Sequence, residues 1–160
     1  MRREKVFTTE LIHTLTEAGA WLYKIPDFPQ AMLAGSAARF NPPKPVDLVG
    51  VFRGRFVCIE CKASAGFDSI KMDWFRENQV ATMDAVEERG GVSLVAINVR
   101  NKKRGASRVN RLYLFRWPLL VKHLQEFNSI TPASLRNEQP FYEGYKERFP
   151  GLVEEFPDYI

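Results

Sequence analysis

Two cysteines and two histidines in 160 residues leave this chain little soft-ligand chemistry. Cys58 and Cys61 form a lone C-x-x-C inside a β-patterned run, where a spacing of three points the side chains to opposite faces. That geometry suits neither a disulfide nor a shared zinc ion, and no second Cys/His pair stands nearby to complete a site. Both are expected to be reduced, partly buried thiols of an intracellular protein. Long apolar runs are missing too: the cleanest, Val92 to Ile97, is interrupted by Ser93 and falls far short of a membrane span. Met1-Arg2-Arg3-Glu4-Lys5 is basic but no apolar stretch follows it. No signal peptide is therefore expected, and the expected location is the cytoplasm, a host's if the source is viral. Internal repeats and low-complexity segments are absent as well.

The most telling absence is of acid. Residues 89–125 hold nine Lys and Arg and not one Asp or Glu, whereas residues 1–88 carry 11 against 12 and residues 126–160 carry 3 against 7. The net charge of +4 is thus a cancellation around a strongly cationic middle segment. With 45% apolar and 26% charged residues, the rest of the composition is that of a folded single domain with a real core.

Apolar or small residues at Phe7, Leu11, Leu15 and Ala18, followed by Gly19, predict an amphipathic helix over 7–19. Trp21 to Ile25 reads as a short strand, and Pro26 to Pro45, with five prolines in all, as an irregular loop. Val46 to Phe52 and Arg55 to Lys62 flank Arg53-Gly54 in a hairpin pattern. A helix is expected over 72–89, ended by Gly90-Gly91, then strands at Val92 to Val99 and Arg111 to Arg116. Pro118 opens a final helix running to about Phe127. The order implies an α/β fold: a central mixed β-sheet flanked by helices. Residues 1–128 are expected to form the domain, with 129–160 an aromatic, acidic extension packed on it or on a dimer interface.

The hairpin carries the chemistry. With Arg53-Gly54 as its turn, facing residues have numbers that sum to 107, which sets Asp47 opposite Glu60. Lys62, two residues on, projects from the same face. Like charges directly opposite destabilise a sheet, and the neighbours Val46, Leu48, Val49, Val57 and Ile59 are apolar, so two carboxylates held there call for a cation. Two carboxylates, a backbone carbonyl and waters are a hard oxygen set suited to Mg2+, and a lysine beside it would position a water or offset charge on a phosphate. The competing reading makes Asp47 a cap at the start of the strand and leaves Glu60 and Lys62 on a solvated edge.

Pro45-Val46-Asp47, twelve further residues and Glu60-Cys61-Lys62 resemble the PD-(D/E)xK nuclease motif, with Val46 standing between the proline and the acid. The stretch from Asp47 to Ala63 resembles the bacterial RecU resolvases. The helix containing Glu10, the Ala34-Gly35-Ser36 loop and Glu77-Asn78-Gln79 resemble the archaeal Hjc-type resolvases. The resemblance spans roughly residues 5–117 and implies a restriction-endonuclease-like core, a homodimer and Mg2+-dependent incision of four-way (Holliday) junctions, with Mn2+ expected to substitute. It implies metal ligation by Asp47, Glu60 and the Cys61 carbonyl, and water activation by Lys62. It also implies metal assistance from Glu10 through water, a position near the scissile phosphate for Gln79, and a junction contact from Ser36.

Arg100, Lys102, Lys103, Arg104 and Arg108 cluster between two strands as a candidate phosphate-binding loop, with Arg39 and Lys44 as further contacts. No base-reading element is evident, which fits recognition of DNA shape. Two alternatives stand beside a junction resolvase: another nuclease of this motif acting on linear or single-stranded DNA, and a non-catalytic DNA-binding protein.

Overall fold

The computed structural model describes residues 2–27, 44–64, 69–101, 109–131, 142–144, 153 and 156–160. Among the described residues three helices, α1 (Arg2–Glu17), α2 (Glu77–Glu88) and α3 (Trp117–Phe127), enclose a sheet of six strands. The strands are β1 (Trp21–Lys24), β2 (Leu48–Phe52), β3 (Arg55–Ser64), β4 (Val92–Asn101), β5 (Val109–Arg116) and β6 (Tyr142–Gly144), and they lie side by side in chain order. All neighbours pair antiparallel except β3 and β4, which run parallel and are joined through α2. The expected α/β architecture with one mixed, helix-flanked sheet is present. No described helix is long and apolar enough to cross a membrane.

Alternation along β3 sorts the two layers. Val57, Ile59 and Cys61 face α1, whose Phe7, Leu11 and Leu15 recur every four residues as one buried stripe. Cys58 faces the other layer with Met83 of α2 and Leu120 and Leu124 of α3. The two cysteines thus point to opposite sides, both buried and neither in a disulfide. Burial pushes the Cys58 thiol up to about 11, which keeps it inert at neutral pH. Phe156, from the C-terminal extension, is buried in the α1 layer with its ring 4.9 Å from that of Phe52.

The hairpin register is the expected one: Leu48 pairs with Ile59, Val49 with Cys58 and Phe52 with Arg55. Arg53 and Gly54 have φ of 49° and 78°, the positive pair that a two-residue type I′ turn requires. Strand β2 starts at Leu48 rather than Val46, because the Asp47 carboxylate takes the Cys61 N–H in place of a ladder bond. The helix expected over 72–89 is two pieces, a 3-10 turn at Met72–Trp74 and α2. Extended backbone at Phe75 and Arg76 breaks it, turning the Phe75 ring into the core 5.2 Å from Trp117.

Candidate active site

Glu60 and Lys62 alternate with core residues of β3 and so emerge on the α2 side, where Gln79 from the first turn of α2 meets them. Asp47 sits at the mouth of β2. Its Oδ2 accepts the Cys61 N–H at 2.8 Å, which fixes one carboxylate against the backbone next to the other. Asp47, Glu60, Lys62 and Gln79, with Lys44 and Asp27, line a cleft of about 380 Å³. Trp74 and Arg76 also line this cleft.

The polar bonds inside it are dense and asymmetric. Glu60 is only 2% exposed, and its Oε1 accepts from Gln79 Nε2 at 2.6 Å and from Lys62 Nζ at 2.9 Å. Its Oε2 is buried with no hydrogen-bond partner among the described residues. Burial pushes the Glu60 carboxyl up to about 7; the Asp47 charge adds to the rise, and Lys62 and Lys44 oppose it. Gln79 serves both acid and lysine, since its Oε1 accepts from Lys62 Nζ at 3.3 Å and from the Arg76 N–H at 3.0 Å. That last bond is the return half of a capping box at the start of α2, so the residue that opens the helix also orients the site. The Lys62 ammonium lies 5.4 Å from the centre of the Phe75 ring.

Lys44, read from the sequence as a DNA contact, lies in the cleft. Its Nζ donates to Asp47 Oδ1 at 2.6 Å and to Asp27 Oδ1 at 2.9 Å. Burial disfavours its charge, but hydrogen bonds and charge from Asp47 and then Asp27 outweigh that and leave its pKa raised. Asn78 Nδ2 donates to the Lys44 carbonyl at 2.6 Å, tying the segment to α2. Asp27, Asn78 and Arg76 carried no role in the sequence reading. The one available signal was the i,i+3 spacing of Lys44, itself between two prolines, and Asp47.

Among the other expected site residues, Glu10 lies half-buried on α1, the helix of the opposite layer, and does not line the cleft. Ser36, Arg39, Lys102, Lys103, Arg104 and Arg108 lie outside the described residues. Arg100 stands near the end of β4, and the parallel register of Ser64 with Val99 puts that strand end at the same edge of the sheet as the cleft. The cationic run of 89–125 is not one surface, however. Arg116 pairs with Glu87 at 3.2 Å, and Arg89 donates to the Ala85 carbonyl on α2.

What this cleft can do chemically follows from its donors and acceptors. An unsatisfied carboxylate oxygen in a buried site costs about 1–3 kcal/mol, which either a proton or a metal ion relieves. Two near carboxylates, a strand carbonyl at Cys61 and open solvent on one side form a hard oxygen set that fits a divalent cation. Among the described residues no cluster of three or more His, Cys, Asp and Glu stands ready to hold an ion, so the remaining ligands of such a cation would be carbonyl and water.

The model of the RecU family, Recombination protein U, matches residues 27–146 of the chain. A Holliday junction resolvase RecU of Bacillus pumilus (strain SAFR-032) is 33% identical over 73 residues, 45% of this chain and 36% of that protein. The matched stretch therefore spans about a third of the relative's length. The structure is similar to that of Hjc, a Holliday junction resolvase from the archaeal hyperthermophile Archaeoglobus fulgidus. That similarity has a TM-score of 0.49 at 16% identity, covering 80% of this chain and 88% of that one.

Proposed function

The chain belongs to the RecU family, and on that premise we propose that it is a structure-selective, Mg2+-dependent endodeoxyribonuclease. It acts on four-way DNA junctions as a homodimer, whose two sites make paired symmetric incisions. The observation that carries this reading is the pair Asp47 and Glu60 in one cleft, with a buried Glu60 oxygen that has no partner and Lys62 2.9 Å from the other.

Asp47, Glu60 and the Cys61 carbonyl are the groups that would hold the cation. When bound, a divalent ion supplies Lewis acidity that lowers the pKa of a water and offsets charge on the phosphate. The chain's own residues do the rest. Hydrolysis adds a water oxygen to phosphorus and expels one ester oxygen, so negative charge gathers on the phosphoryl oxygens. Lys62, 2.9 Å from Glu60, is read as the cation that meets it. Gln79 keeps Lys62 and Glu60 in register by bonding both, and the Cys61 N–H holds Asp47 from turning away. Glu10, on α1, is read as assisting the ion through water rather than as a group lining the cleft. Ser36, Arg39 and the cations of 100–108 are read as contacts to the junction arms, and 129–160 as an extension packed on the nuclease domain.

The test is incubation with a four-way junction and a matched linear duplex, with and without Mg2+. The junction alone should be cut, and only with the ion. Asp47→Asn and Lys62→Ala should each lower the cutting rate by roughly a thousandfold while junction binding persists. Full activity in either variant rejects the site. Equal cutting of the linear duplex points to a repair or restriction nuclease, and binding without cutting or metal uptake points to a non-catalytic DNA-binding protein.

A further inference from the structure

We infer that the Lys44 ammonium is a built-in counter-ion of the site, which a divalent cation displaces from Asp47 and which Asp27 then retains. The inference rests on the metal-site reading given above. Of the four carboxylate oxygens of Asp47 and Glu60, three are already taken. Asp47 Oδ2 accepts the Cys61 N–H, Glu60 Oε1 accepts from Gln79 and Lys62, and Asp47 Oδ1 accepts from Lys44 at 2.6 Å. Among the described residues only Glu60 Oε2 lacks a partner. A cation held by both acids would therefore need one more oxygen, and the three donors differ in what releasing it entails.

The Cys61 N–H is part of the backbone of β3 and cannot leave without unpairing the strand. Lys62 and Gln79 bond each other as well as Glu60, so they form a closed set. Lys44 alone has a second carboxylate within reach on the outer side, Asp27 Oδ1 at 2.9 Å. The Asp27 side chain is 62% exposed against 11% for Asp47, so a shift toward Asp27 carries the ammonium outward. Its backbone need not follow. The carbonyl is held by Asn78 at 2.6 Å, and prolines flank the residue on both sides. Two cations sharing one carboxylate oxygen repel strongly in a partly buried cleft, so ammonium and divalent ion alternate at Asp47 rather than coexist.

Isothermal titration of the DNA-free protein with MgCl2 tests this without reference to cutting. Lys44→Met should bind Mg2+ about tenfold more tightly than wild type, and Lys44→Gln serves if the first variant melts early. Asp27→Asn should weaken binding severalfold, because Lys44 is then left to Asp47 alone. In the Lys44→Met background Asp27→Asn should lose its effect, since the inference has Asp27 act through the ammonium. Arg76→Gln, which removes another cleft cation that touches neither acid, should leave the affinity near wild type. Unchanged affinity in both Lys44 variants overturns the inference. So does equal tightening by Arg76→Gln, or an Asp27 effect that survives loss of Lys44, because each makes the change one of general field. Absence of Mg2+ binding in every protein, wild type included, rejects the metal site itself and the inference with it.

Discussion

Glu60 concentrates the energetics of the cleft in a single side chain. One oxygen has two donors and the other has none, and its carboxyl titrates near 7 rather than at the ordinary 4.5. A carboxyl whose folded pKa lies above its unfolded one binds its proton more tightly in the native state. Its stabilising contribution is therefore complete below about 4.5 and is lost as pH rises through about 7. The metal-free protein should lose up to about 3 kcal/mol between pH 5 and pH 8 from this residue. Scanning calorimetry across that range should show a falling melting temperature for wild type, a flatter profile for Glu60→Gln, and recovery with Mg2+ at pH 8. A wild-type profile parallel to that of Glu60→Gln would refute the assignment. The juxtaposition of Asp47 and Glu60 was legible in the sequence, because hairpin register is arithmetic once the turn is known. Which oxygen lacks a partner was not, since it depends on where Gln79 and Lys62 reach in three dimensions.

Between one residue and the whole lies the three-stranded edge of β1, β2 and β3 that presents Asp47. Two glycines in it are required for different reasons. Gly54 has φ of 78°, and a Cβ added there would meet no atom, so Gly54→Ala should cost only the conformational strain, about 1 kcal/mol. Gly50 faces Leu22 of β1, and a Cβ there would overlap the Trp21 carbonyl oxygen, a backbone atom that cannot step aside alone. Gly50→Ala should therefore cost on the order of 3 kcal/mol, as β1 is pushed off the sheet. Denaturant unfolding of the two variants checks the ranking, and a Gly54→Ala effect as large as that of Gly50→Ala would contradict it. Elements of this kind were mostly visible beforehand: the turn dipeptide, the alternation of β3 and the four-residue stripe of α1 are local patterns. The break at Phe75 was not, because a helical period continues through 72–89. Only the aromatic slot against Trp117, far along the chain, makes the kink worthwhile. Gln79 illustrates the same limit. Its position three residues into a helix marks a capping role once the helix start is known, but the break that sets that start is tertiary.

Over the whole molecule, charge that is contiguous in sequence becomes dispersed in space. The acid-free segment 89–125 runs through β4, β5 and α3, and the fold neutralises Arg116 with Glu87 while leading Arg100 toward the cleft's edge of the sheet. Counting charges could not separate these, since the pairing of Arg116 with Glu87 joins the end of β5 to α2, 29 residues apart. The two groups should differ in what they do to DNA binding. Neutralising Lys102, Lys103 and Arg104 should reduce the slope of log K against log salt by about 2–3, whereas Arg116→Gln should leave it unchanged. Fluorescence anisotropy of a labelled junction across a salt series measures both, and an unaltered slope in the triple variant would remove that loop from the interface. One property of the topology reaches further. Within the sheet, the two acids are brought together by its most local pairing, the two-residue hairpin, while the site is backed by its most distant one, in which Val57 of β3 meets Val92 of β4 across the length of α2. Local contacts close soonest as a chain folds. The acids thus converge before the layer that buries them arrives, so their repulsion belongs to the folding barrier as much as to the folded state, and a cation that quiets it assists the chain in becoming a sheet before it assists any chemistry.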